Sequence, residues 1–105
     1  MEIEAKMWVS YQDEPYFIQE MLKEYYIVYN IHNEPTKVHK NDAHFKPIKI
    51  PVFQVGDMLV SKTNYYPDLT GTIVKITQVV DDDYIPYEIN GEYWFTPFDM
   101  VPVNY

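Results

Sequence analysis

Cysteine is absent from this 105-residue chain, which excludes disulfides, thiolate metal sites and cysteine nucleophiles. Long apolar runs are absent too. No stretch reaches the roughly 18 to 20 residues needed to cross a bilayer, and no basic segment precedes an apolar one as in a secretory leader. Both absences point to a soluble chain that stays in the cytoplasm. Positive charge is scarce: eight lysines face sixteen acidic residues, for a net charge of −8. Residues 1–50 hold six lysines against eight Asp and Glu, and residues 51–105 hold two against eight. Such a field attracts basic partners and repels phosphate backbones, with a reach of about 10 Å in salt. Direct nucleic-acid binding is therefore disfavoured.

Glycine is nearly missing as well. The three that occur, Gly56, Gly71 and Gly91, all lie in the second half, between short runs of β-branched and aromatic residues. A chain this poor in glycine is expected to keep it where tight turns demand it, so these positions mark the corners of a small β structure. Aromatic residues, by contrast, are plentiful: eighteen, of which eleven are tyrosine. Tyrosine fills a small core, and a surplus of it supplies recognition surfaces.

In the first half, Ile3, Ala5, Met7, Val9 and Tyr11 alternate with polar residues, which predicts a strand over 3–11. Trp8 interrupts the polar face and must be either covered or presented to a partner. Asp13, Glu14 and Pro15 have the composition of a helix start, and Phe17, Met21 and Tyr25 follow at spacings of four. These features predict a helix over 14–25. Residues 26–31 read as a second strand. Residues 33–51, with three prolines, four lysines and two histidines, read as a linker. The expected organisation is a strand–helix–strand arm over 1–32, the linker over 33–51 and a β domain over 52–105.

In that last region strands are expected near 58–63, 71–80, 84–89, 92–96 and 100–103. Asn90-Gly91 is the strongest hairpin signal in the chain. The runs Val55-Gly56-Asp57-Met58-Leu59-Val60, Gly71-Thr72-Ile73-Val74-Lys75-Ile76, Asn90-Gly91-Glu92-Tyr93-Trp94-Phe95 and Pro97-Phe98-Asp99-Met100-Val101-Pro102-Val103 resemble SH3-like barrel domains of small bacterial and phage proteins. The resemblance covers 52–105 only. It implies a small, partly open SH3-like barrel, which with the strand–helix–strand arm read from the residues gives an α+β, mainly β protein. It implies no single function, since this barrel serves peptide binding, nucleic-acid binding and structural roles alike.

No catalytic or metal constellation stands out. His32, His39, His44 and Asp42 have no ligand spacing and read as solvated loop residues. Ser10 and Ser61 lie within strands, and Glu88 and Glu92 flank a hairpin as solvated carboxylates, so no enzyme, cofactor or metal is expected. In SH3-like barrels two loops frame an aromatic groove with carboxylates beside it. The resemblance places Tyr65, Tyr66, Asp68, Asp81, Asp82, Asp83, Tyr84 and Trp94 in that role, and with Glu92 they make the expected partner-binding surface. Rings would hold apolar segments, and carboxylates would pair with Arg or Lys. Two functions follow. In the first, the chain is an acidic DNA-mimicking inhibitor, of the phage anti-restriction or anti-CRISPR type, that covers the basic surface of a nucleic-acid-processing enzyme. In the second, it is an adaptor that docks a peptide or a virion or complex subunit through Tyr65, Tyr66 and Trp94. Direct nucleic-acid contact would need the cluster Lys37, Lys40, Lys46 and Lys49.

Overall fold

Residues 14–25, expected to be helical, are strand and turn in the computed structural model, which describes residues 2–63 and 65–103. Among those residues there are nine strands and only two single turns of 3-10 helix, Lys40–Asp42 and Pro67–Leu69. The expected α+β class is thus corrected to nearly all β. No described helix is long and apolar enough to cross a membrane. The chain divides into two units, Met1–Lys49 and Ile50–Tyr105.

The first unit is an antiparallel meander of β1 (Met7–Tyr11), β2 (Glu14–Met21), β3 (Tyr25–Tyr29) and β4 (Pro35–His39), paired in that order. Two physical facts explain the misplaced helix. A spacing of four, as between Phe17 and Met21, is shared by one face of a helix and one face of a strand. β2 also buries both of its faces: Ile18 is fully buried on one and Phe17 on the other, so no polar alternation survives to be read. The residues taken for a helix start instead make a two-residue hairpin turn. Tyr11 pairs with Glu14, and Gln12 and Asp13 between them both adopt positive φ, 54° and 63°. That is the conformation of a type I′ turn, reached here without glycine.

Val9, Ile18, Val28 and Val38 form the core on one face of this sheet. The chain beyond β4 returns over it. Phe45 meets Tyr11 and Tyr26 with ring centroids 5.4 and 5.2 Å apart, and Lys46 exchanges two 2.9 Å backbone hydrogen bonds with Ser10. Residues 33–51, expected to be a linker, therefore include a paired strand and a core aromatic. On the opposite face Trp8 packs edge-on to Phe17 at 5.3 Å and is buried. Trp8 is covered.

The second unit contains β5 (Met58–Ser61), β6 (Ile73–Val79), β7 (Tyr87–Ile89), β8 (Tyr93–Phe95) and β9 (Met100–Pro102). All five lie within the expected positions, trimmed at their ends. The sheet order is β8-β7-β6-β5-β9, so the last strand returns to pair with the first. β6 pairs with β5 through its first half and with β7 through its second, and the register shifts between Ile76 and Gln78. An extra residue at such a point bends the strand and increases its twist. The resulting curled sheet suits a small barrel. It encloses Leu59, Val74, Ile76, Tyr87, Ile89, Phe95 and Met100. At the β7–β8 corner Asn90 and Gly91 take φ of 54° and 74°, and Glu92 N–H donates to the Ile89 carbonyl at 3.1 Å. The expected hairpin is present.

Candidate functional site

Asp82 organises the β6–β7 connection. Its Oδ1 accepts the backbone N–H groups of Tyr84 at 2.8 Å and Ile85 at 2.9 Å, a local turn that short acidic side chains favour. Val80 N–H closes the base of the loop on the Pro86 carbonyl at 2.8 Å. Asp81, Asp82 and Asp83 all remain exposed, so the loop presents its carboxylates to solvent, and Tyr84 is half-buried behind them.

Trp94 stands in the middle of β8, directly opposite Glu88 of β7. Successive strand residues point to opposite faces, so Trp94 lies on the other side of the sheet from Tyr93 and Phe95, which belong to the core side. It lines a shallow hollow of about 240 Å³ with Val80, Asp82 and Ile85. The Glu88 carboxylate accepts a hydrogen bond from Thr77 Oγ1 at 2.9 Å, and Thr77 Oγ1 in turn accepts Gly91 N–H at 2.9 Å. The surface beside Trp94 is therefore built from fixed parts: an indole, two aliphatic walls, and carboxylates held by backbone and hydroxyl donors.

Tyr65 and Tyr66 lie elsewhere, in the β5–β6 connection. Tyr66 stacks on buried Phe95 at 5.9 Å and meets both Tyr65 and Tyr93 edge-on at 4.9 Å. Such ring pairs are worth about 0.5–1.5 kcal/mol each beyond their buried area. Tyr66 is consequently half-buried against the core, while Tyr65 keeps 54% of its surface exposed. Asp68 is exposed in the 3-10 turn Pro67–Leu69 just beyond. Thr63 braces this loop: its Oγ1 accepts Tyr65 N–H at 3.1 Å, and its carbonyl accepts a hydrogen bond from Thr70 Oγ1. Asn64, expected to open this connection, lies outside the described residues.

Eight of the nine expected binding residues thus form two groups on opposite sides of β8, and Glu92 belongs to neither. Asp82 and Trp94 share one hollow, with Asp81, Asp83 and Tyr84 in its loop. Tyr65 and Tyr66 join Tyr93 in a ladder with Asp68 nearby, and Glu92 stands exposed at the hairpin corner. Val80 and Ile85 are not among the expected residues, and Glu88 is expected only as a solvated carboxylate at the hairpin. Counting outward from a two-residue Asn90-Gly91 turn would pair 89 with 92 and 88 with 93; the corner also takes in Glu92, which sets 89 against 93 and 88 against 94.

In the first unit, Ser10, Tyr11, Gln12, Asp13, Asp42, His44 and Lys46 line a second hollow of about 280 Å³ with charges of both signs. His39 is engaged locally, its Nδ1 accepting Asn41 N–H at 3.1 Å. Among the described residues, no three His, Asp or Glu side chains come together as a metal site. Two of the four clustered lysines are held by tyrosines of their own sheet. Lys37 Nζ lies 4.1 Å from the Tyr25 ring centre, and Lys40 Nζ lies 5.2 Å from that of Tyr26. Set against known protein-family models, curated proteins and solved structures, the chain gives no match.

Proposed function

We propose that residues 52–105 form an SH3-like barrel and that the protein is a non-enzymatic binding module for a basic partner. In this reading it inhibits a nucleic-acid-processing enzyme in the cytoplasm by covering the surface that would otherwise meet phosphates. The curled five-stranded sheet, with its last strand returning to its first, supports the barrel. The carrying observation for function is the loop of Asp81, Asp82 and Asp83. Its central carboxylate is fixed by two backbone amides, in a unit holding two lysines against eight acidic residues. Carboxylates fixed in advance can stand in for phosphates without losing side-chain freedom on binding.

The test is retention of basic nucleases and restriction enzymes on the immobilised protein, with stepwise salt and with duplex DNA as competitor. Retention at low salt, release by salt and by DNA, and loss on reversing all three aspartates to lysine are expected. Salt-resistant retention that survives the reversal would refute the inhibitor reading. One observation favours a second reading, that of an adaptor: the exposed ring of Tyr65 at the open end of the Tyr66–Tyr93 ladder. An adaptor would lose its partner on Tyr65→Ala and keep it on charge reversal.

A further inference from the structure

We propose that the hollow beside Trp94 receives a single arginine side chain of the partner, an inference that rests on the basic-partner reading above. The walls suit such an occupant. Val80 and Ile85 offer aliphatic contact for the methylene stem, and the half-buried Trp94 ring offers a flat π face. Asp82 lies at the same hollow with Oδ1 committed to the Tyr84 and Ile85 amides, which orients the carboxylate and leaves Oδ2 to accept from a ligand. Glu88, paired with Trp94 in register and held by Thr77, stands beside the hollow without lining it.

Arginine fits this combination better than lysine. Its planar guanidinium can stack on the indole while its edge donates to a carboxylate, whereas an ammonium is a strongly hydrated point charge that does one or the other. Charge complementarity selects a cationic guest over an apolar one, because Asp81 and Asp83 flank the hollow and are exposed. None of the 105 residues is an arginine, so the occupant comes from outside them.

The probe is an acetylated, amidated pentapeptide with one arginine among glycines, compared with its citrulline and lysine counterparts. Binding is followed by NMR at the two indole N–H signals, assigned with a Trp8→Phe variant. Saturable shifts are expected at the Trp94 indole and at the Tyr84 and Ile85 amides, with the Trp8 indole silent. Loss of a charge-assisted hydrogen bond predicts about tenfold weaker binding of the citrulline peptide, and weaker binding of the lysine peptide as well. Asp82→Asn keeps an Oδ1 acceptor for the two amides and removes the charge, so it should weaken the arginine peptide by a similar factor. Glu20→Gln, which removes an exposed carboxylate of the first unit, should leave binding unchanged. Trp94→Leu keeps an apolar wall without a π face, and should weaken binding several-fold even if Asp82→Asn perturbs the loop.

Equal binding of arginine and citrulline peptides, or unchanged affinity in Trp94→Leu, would overturn the inference. So would the absence of a saturable Trp94 shift. If the intact protein still retained basic enzymes in a salt-dependent way, only the arginine hollow would fail and the wider reading would stand. If that retention were also lost, both would fail.

Discussion

The two units solve the same problem, folding about fifty residues into an antiparallel sheet, with different turn chemistry. The second unit spends all three glycines of the chain on its corners, where they take φ between 74° and 95°. The first unit has none and places Lys6, Gln12, Asp13 and Asn33 in the left-handed region instead. A side chain there costs roughly 1–2 kcal/mol at a residue other than glycine, less for Asn and Asp. The first sheet therefore carries more turn strain than the second, where Asn90 is the one such residue among those described, and must offset it by packing. It does so on two faces: Val9, Ile18, Val28 and Val38 beneath a lid that includes Phe45, and Trp8 against Phe17 behind. The units also differ in charge, with most of the net negative charge carried by the second. One unit is the more strained and nearly balanced in charge; the other is the less strained and acidic.

The largest test of this contrast is truncation of each unit's most buried ring. Phe17→Ala and Phe95→Ala are each expected to cost about 3–5 kcal/mol, the range for deleting a buried phenylalanine. Amide hydrogen exchange should report the loss in β1–β4 for the first and in β5–β9 for the second. If Phe17→Ala proved nearly neutral, double-faced packing would not be what holds the first sheet.

Exchanging turn chemistry sharpens the comparison at smaller scale. Gly91→Ala adds a Cβ that meets nothing within 4 Å, so its whole effect is backbone strain, expected near 1–2 kcal/mol. Asp13→Gly should act in the opposite sense, stabilising the first unit by about 1 kcal/mol or less. Denaturant midpoints check both signs, and a destabilising Asp13→Gly would contradict the strain.

The smallest expected effect is a pH dependence confined to the first unit. Burial, and then the charge of Glu14 with smaller contributions from Tyr11 and Glu34, raises the Tyr16 phenol above its ordinary 10.0. The unfolded chain therefore ionises first. Stability from this group is complete below pH 10.0 and falls as pH rises toward the folded value. Tyr16→Phe should remove that part of the alkaline loss, as measured by urea unfolding on either side of pH 10.0. An unchanged alkaline slope would assign the loss to other groups.

Legibility in the sequence followed the same divide. Gly56, Gly71 and Asn90-Gly91 announce their turns, so the five strands of the second unit could be placed before any coordinates. In the first unit the turn at Gln12 and Asp13 carries no glycine, and its residue types coincide with those of a helix start. β2 hides its period because Phe17 and Ile18 are both buried. The candidate site was legible in part. The acidic loop and Trp94 could be singled out, but Tyr65 and Tyr66 could not be separated from them without knowing that Trp94 and Tyr93 face opposite ways. Val80 and Ile85 become walls only once Asp82 has folded the loop between them.

Each sheet also has an outermost strand that carries proline: Pro35 opens β4 and Pro102 closes β9. A proline there cannot donate to an incoming strand, and β9 is only three residues long. Both edges are thus poor templates for strand addition, which limits sheet-to-sheet aggregation in a chain whose residues are so largely committed to β structure.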